Sequence, residues 1–198
     1  MNAVFTYDQE QATKIGAGGQ YVTESGGYDL KVVRAQFKDN KFLEFDFETR
    51  DGKKLNYVSI NYTKNDGQPN EYGQQMIQAI MGCVGVQQLT ADVNGNVREL
   101  MNQFFKGVVQ RVDYVKTGGA NAGQDGYKFD FKLPANIKTG QTVKEMVESK
   151  PAEAFDKYAS TIEDKDERNK TSQGMQPQGG SSSTQYDNIP DMDDDLPF

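Results

Sequence analysis

The last six residues of the chain carry its clearest recognition chemistry. An acidic run leads into a Leu-Pro pair and a final aromatic residue whose own α-carboxylate ends the sequence. A free carboxylate captured together with the side chain beside it is a known mode of peptide recognition. A charged, proline-containing segment has little to bury, so we do not expect it to fold alone. The residues predicted to contact a partner protein are Asp193, Asp194, Asp195, Leu196, Pro197 and Phe198.

The residue types that most enzymes use are scarce in this chain. Histidine, the commonest general base and metal ligand, is absent. The single cysteine, Cys83, lies in the apolar stretch 76–86, which indicates a buried hydrophobic residue and not a nucleophile. Neither GxxxxGKS/T nor GxGxxG occurs. We therefore expect no enzymatic activity, no cofactor and no metal, with a carboxylate-only nuclease site as the enzymatic alternative.

Length and hydropathy are typical of one domain followed by a tail. The chain has 198 residues. It contains no run of about 18 apolar residues and no basic-then-apolar N-terminus, so neither a membrane span nor a secretory signal is predicted. We expect a cytoplasmic protein.

Negative charge is concentrated towards the C-terminus. Residues 1–158 hold 19 Lys and Arg against 20 Asp and Glu, a net charge of −1, whereas residues 159–198 have a net charge of −6. Residues 30–140 carry a small surplus of +3. That surplus is modest for a protein that binds phosphates, so DNA binding would require the cations to gather on one face.

The body of the chain is dominated by strand patterns. Residues 42–49 alternate strictly, with Leu43, Phe45 and Phe47 on one face and acids on the other, which is typical of a half-buried antiparallel strand. Asp51-Gly52 then predicts a hairpin turn into a strand over 55–62. Further strands are predicted over 28–37, 104–116 and 127–133, the last with Tyr127, Phe129, Phe131 and Leu133 on its apolar face.

Two helical segments are predicted. Apolar residues recur at helical spacing from Met76 to Val84, and Asn70 is placed to cap a helix over 71–84. Residues 142–160 form the second segment, with Thr142 and Glu145 spaced for a capping box and Pro151 as a break. A short helix over 97–102 is also suggested.

The resulting organisation has four parts. Residues 1–27 are read as an N-terminal arm, 28–140 as a β-barrel, 141–160 as a C-terminal helical segment, and 161–198 as a flexible linker and acidic tail. The order of three strands, a helix and two strands matches an oligonucleotide-binding (OB) barrel. The fold class predicted is therefore mainly β, a five-stranded OB-type barrel with a helix between strands 3 and 4.

The terminal Asp-Asp-Asp-Leu-Pro-Phe, its Gly/Ser/Gln-rich tether and this strand order resemble bacterial and phage single-stranded-DNA-binding proteins. The resemblance implies a body that binds and protects single-stranded DNA during replication, recombination and repair, without strong sequence preference. It implies a tail that recruits helicases, nucleases, primase or polymerase accessory proteins. The glycine-rich start and the strands over 28–62 are similar to the phage members. The body departs from the bacterial type, since it has no tryptophan. The oligomeric state is left open, a homo-oligomer included.

Binding of single strands needs aromatic faces for the bases and cations for the phosphates. Phe45, Phe47, Phe129 and Phe131 are assigned to the core because they lie on apolar faces. The aromatic residues with polar or basic neighbours are the candidates for base stacking, namely Tyr57, Tyr62, Tyr114 and Phe42. The candidate phosphate ligands are Lys31, Arg34, Lys53, Lys54, Lys106, Arg111, Lys116, Lys128 and Lys132.

Two other functions remain compatible with these patterns. The near-neutral body favours a protein-interaction adaptor of the replication machinery that does not itself bind DNA. A strand-annealing recombination protein would also bind single strands, and an annealing assay would distinguish it.

Overall fold

The computed structural model describes residues 21–168. The predicted interaction residues 193–198, most of the N-terminal arm and most of the linker lie outside the described residues. Within residues 21–168 a six-stranded sheet carries three helices and one 3-10 turn. The strands are β1 (Gly26–Lys38), β2 (Phe42–Thr49), β3 (Lys54–Asn61), β4 (Phe104–Val115), β5 (Asp125–Asn136) and β6 (Lys165–Asp166).

The sheet has the order β3-β2-β1-β4-β5, with each neighbouring pair antiparallel, and β6 pairs with β4 in parallel. In these residues β3 and β5 are the ends of the path and exchange no ladder pairing, so the sheet is not closed. The predicted mainly β class is thus confirmed, while closure into a barrel is not.

The alternation predicted for β2 builds the centre of the core. Leu43, Phe45 and Phe47 are buried, and Phe45 stacks on Phe47 with ring centroids 5.1 Å apart. Phe105 from β4 and Phe131 from β5 meet Phe47 across the core, with centroid distances of 5.7 and 6.3 Å. Phe129 is buried as well, so all four phenylalanines assigned to the core from sequence lie there.

Helix α1 (Glu71–Val84) lies between β3 and β4 in the chain, as predicted. The Asn70 side chain caps it by accepting a hydrogen bond from the Gly73 N–H, and Met76, Ile77, Ile80 and Met81 are buried. The helix lies so close to β3 that a Cβ at position 73 would be 1.7 Å from the Asn61 carbonyl oxygen. Only glycine permits this contact.

The segment 142–160 forms two short helices, α2 (Val143–Val147) and α3 (Ala154–Thr161), on either side of Pro151, where a break was predicted. Two other segments differ from their predictions. The helix suggested over 97–102 is a 3-10 turn at Arg98–Leu100. Residues 162–168, assigned to the linker, lie against the body, since β6 pairs with β4 and the Ser25 N–H and hydroxyl both donate to Asp164. None of the helices within 21–168 is long and apolar enough to span a bilayer.

A buried carboxylate joins α2 to α3. Glu145, 8 % exposed, accepts hydrogen bonds from the Thr142 N–H and hydroxyl through one oxygen and from the Glu153 and Ala154 N–H groups through the other. The predicted capping box is therefore present, and it is extended to the next helix. Burial acts to raise the pKa of Glu145, but the three backbone hydrogen bonds outweigh it and hold the pKa below its ordinary value.

We expect Glu145→Gln to destabilise the fold by about 2 kcal/mol at pH 7, because an amide cannot accept all four hydrogen bonds. The pKa of Glu145 is lower in the folded state than in the unfolded state. Its stabilising contribution is therefore fully present above the unfolded pKa of about 4.5 and is lost as the pH falls through the folded pKa. Urea unfolding of both proteins should therefore show a smaller difference near pH 3.5 than at pH 7. An equal difference at both pH values would contradict this role.

Candidate nucleic-acid interface

The side of β1, β2 and β3 that faces away from the core carries a row of polar side chains. On β2 the outward residues are those that alternate with the buried ones. In the β1–β2 ladder Glu44 pairs with Gln36, Asp46 with Arg34 and Glu48 with Lys31. Val33 is an extra residue at a register shift in β1 between Val32 and Arg34. We call this surface, defined by the outward residues of β1–β3, the outer face.

Tyr57 stands out on the outer face. It is 72 % exposed and has φ of 61°, a left-handed conformation in the middle of β3. The register between β2 and β3 shifts at this point, so Tyr57 belongs to a β-bulge opposite Asp46. An aromatic residue in this conformation is an outlier that costs about 1–3 kcal/mol and requires support from its surroundings.

Asp46 supplies that support. One of its carboxylate oxygens accepts the Tyr57 N–H at 2.9 Å, and the other accepts Arg34 Nε at 2.6 Å. The two remaining guanidinium nitrogens of Arg34 donate to Gln36 Oε1 and Glu44 Oε1 at 2.8 and 2.7 Å. The guanidinium carbon lies 5.9 Å from the centroid of the Tyr57 ring. One carboxylate thus holds both the backbone of Tyr57 and the cation beside its ring.

Asp46 and Arg34 are both charged at neutral pH. Partial burial acts to raise the pKa of Asp46, but the hydrogen bonds from Arg34 and from the Tyr57 N–H lower it below its ordinary value. The hydrogen bond to Asp46 in turn raises the pKa of Arg34. The ion pair therefore persists throughout the neutral range.

The other predicted stacking residues are less available. Phe42 lies on the outer face opposite Asn61 and Lys38 and is half-buried. Tyr62 is half-buried and packs edge-on against Phe37 with centroids 5.6 Å apart. Tyr114 lies opposite Gly126 in the β4–β5 hairpin, away from the outer face. The structure therefore brings only Phe42 and Tyr57 to this surface with open or partly open rings.

The predicted phosphate ligands divide into two groups. Six are already paired with carboxylates within 4.0 Å, namely Arg34, Lys53, Lys106, Arg111, Lys128 and Lys132. Within residues 21–168, no ion pair involves the other three, Lys31, Lys54 and Lys116. Lys31 and Lys54 lie on the outer face and face the same residue, Glu48.

Two exposed aromatic residues that lie beside a cation were not among the predicted stacking residues. Phe104 is 52 % exposed, and Lys31 Nζ lies 6.0 Å from its ring centroid. Successive side chains of a strand point to opposite faces, so a buried Phe105 requires an outward Phe104, and the strand pattern could have indicated this. Tyr127 was assigned to an apolar face, but it is 46 % exposed, and the guanidinium of Arg111 covers its ring at 4.4 Å.

The groups considered for enzymatic chemistry are not assembled in the described part of the chain. No group of three or more Cys, Asp or Glu side chains is placed to hold a metal ion there. Cys83 is buried, as predicted, and burial raises its pKa to about 12. Its thiol therefore stays protonated at neutral pH.

Comparison with models of known protein families gives no match for this chain, and comparison with curated protein sequences gives none either.

The strained backbone at Tyr57 makes an unusual stability order testable. At an ordinary strand position a glycine variant is less stable than an alanine variant. At φ of 61° the Cβ of alanine is sterically disfavoured, and glycine has no Cβ. We expect Tyr57→Gly to be more stable than Tyr57→Ala by about 1 kcal/mol in urea unfolding. The opposite order would show that position 57 is not held in the left-handed region.

Proposed function

We propose that the folded body binds single-stranded DNA without strong sequence preference and protects it during replication, recombination and repair. The observation that carries the proposal is the Tyr57–Arg34 pair on the outer face, in which Asp46 binds both the backbone N–H of the exposed tyrosine and the guanidinium beside its ring. Base stacking on such a ring contributes about 1–3 kcal/mol and tolerates every base.

The strain at Tyr57 supports a binding role. A left-handed aromatic residue lowers stability, and it exposes a large ring to solvent. Such outliers concentrate at ligand-binding sites because the strain fixes a side chain in the geometry that the ligand requires. Since the hydrogen bond from the Tyr57 N–H to Asp46 fixes the backbone that carries the ring, little backbone freedom remains to be lost on binding.

The strand arrangement supports an OB-type barrel as part of the proposal. β1 pairs with both β2 and β4, α1 connects β3 to β4, and a long β4–β5 hairpin extends from the sheet. OB barrels are partly open, and they bind oligonucleotides on the face of strands 2 and 3. Here Tyr57 lies on β3 and its partner Asp46 on β2, while Arg34 reaches Asp46 from β1.

The charge pattern limits the role of phosphates. Arg34, Lys106 and Arg111 are ion-paired, so a phosphate would have to displace a carboxylate to reach them. Among the nine predicted phosphate ligands, Lys31, Lys54 and Lys116 are those in no ion pair within residues 21–168, so they need no such exchange. The proposal therefore assigns most of the binding energy to stacking and a smaller part to about three phosphate contacts.

The same ion pairing favours one alternative, an adaptor of the replication machinery that does not bind DNA. Its outer face would be an acidic and tyrosine-bearing surface for protein contacts. The two functions differ in whether the body binds oligonucleotides, which the next experiment measures.

We expect Tyr57→Ala to weaken binding of fluorescent oligo-dT by about 5- to 150-fold, the equivalent of one stacked base. Tyr57→Phe keeps the ring and should bind as the unaltered protein does. Tyr72→Ala removes an exposed tyrosine from α1 and serves as the matched control. Equal affinities for the Tyr57→Ala and Tyr72→Ala proteins, both folded, would reject the stacking role of Tyr57.

The C-terminal tip is proposed to recruit DNA-processing proteins, and its support is the sequence resemblance alone. Deleting Phe198 should abolish pull-down of helicase, nuclease, primase or polymerase accessory proteins and leave oligo-dT binding intact. Tyr186→Ala changes another aromatic residue of the same segment and should retain the pull-down. Capture that survives loss of Phe198 would reject the role of the tip.

A further inference from the structure

A second aromatic–cation pair borders a cleft that the Tyr57 cluster does not use. The cleft has a volume of about 340 Å³ and lies where β1, β4 and the end of β2 meet. Phe104 and Ile137 supply its apolar walls, and Lys31 and Arg50 supply cations. Phe104 and Lys31 are directly opposite each other in the β1–β4 ladder and both point away from the core, because their neighbours Phe105 and Leu30 are fully buried.

The two cations that line the cleft are open to exchange with an anion. Asp29 is the carboxylate paired there, and it is shared by Arg50 at 3.7 Å and by Lys106, from outside the lining, at 3.3 Å. The Arg50 side chain is 87 % exposed, so its long contact with Asp29 is solvated and easily exchanged. Lys31 has no ion-pair partner within residues 21–168, and Glu48 is the carboxylate opposite it in the β1–β2 ladder. Two cations thus stand beside two carboxylates, and neither cation is held in a close ion pair.

An apolar wall with an open ring beside exchangeable cations has the chemistry of a nucleotide site. The base can stack on Phe104 against Ile137, while its phosphate accepts hydrogen bonds from Lys31 and Arg50. We propose that this cleft is a second nucleotide subsite, in which Phe104 is the platform for the base. The inference rests on the proposed function, since it adds a subsite for the same single strand.

The two subsites lie on one continuous surface. The rungs Lys31–Glu48 and Arg34–Asp46 are successive outward rungs of the β1–β2 ladder, about 7 Å apart along the strands. Tyr57 on β3 and Phe104 on β4 are separated by three strand spacings, about 14 Å. The two rings are therefore about 16 Å apart, so a single DNA strand that reaches both must cross β1 and β2.

The test compares oligo-dT of increasing length, from three to twelve nucleotides, by fluorescence anisotropy with the full chain. Phe104→Ala should lower the affinity for dT12 by about 5- to 150-fold. For dT3, which is too short to occupy both rings together, the loss should be below twofold, because Tyr57 remains. Phe104→Tyr keeps a ring and should restore the dT12 affinity, and thermal unfolding of each variant verifies the fold.

The outcomes separate this inference from the proposed function. If Tyr57→Ala weakens dT12 binding but Phe104→Ala does not, the subsite is rejected and the proposed function stands. If the unaltered protein binds no oligo-dT of any length, both are rejected. Equal losses for dT3 and dT12 in the Phe104→Ala protein would also overturn the two-subsite arrangement.

Discussion

The carboxylate of Asp46 is the group on which the outer face depends. Its two oxygens hold the Arg34 guanidinium and the Tyr57 backbone in a fixed relation. Without it the left-handed turn at Tyr57 would lose its backbone hydrogen-bond partner, and the cation beside the ring would lose its anchor. A single acid thereby supports both the strained backbone of Tyr57 and the cation beside its exposed ring.

The strand that carries Asp46 serves both sides of the sheet. Phe45 and Phe47 point inward into the aromatic core, so the position of Asp46 between them is fixed by the most buried side chains of the molecule. Because a shift of one residue would exchange the two faces of β2, core packing also determines the register of the outer cluster. The stability of the core and the geometry of the candidate site are therefore linked through one strand.

Local patterns accounted for the elements of the fold and for part of the site. The alternation of β2, the apolar stripe and Asn70 cap of α1, and the capping box at Thr142 all arise from neighbouring residues, and each is confirmed. Tyr57 was singled out by its polar surroundings. The bulge that strains it depends on the ladder with β2, which no local pattern reports. Closure of the sheet likewise depends on β3 meeting β5, strands separated by more than 60 residues.

Local sequence patterns also do not predict which cations form ion pairs with carboxylates. Arg34 pairs with Asp46 and Glu44 across the β1–β2 hairpin. Lys106 pairs with Asp29 between β4 and β1, which are adjacent in the sheet but distant in sequence. Phe104 was not among the predicted stacking residues, although strand geometry sends it and the neighbouring Phe105 to opposite faces. These pairings change the physical picture of binding, since exposed rings become more important than free charge.

Titration of the full chain with oligo-dT and with duplex DNA over a series of salt concentrations tests this picture most directly. With about three phosphate contacts, the logarithm of the affinity for oligo-dT should fall against the logarithm of salt concentration with a slope of about −2. Duplex, whose bases are already stacked, should bind far more weakly. A folded protein that ignores oligo-dT at low salt, or that binds duplex equally well, would contradict the account.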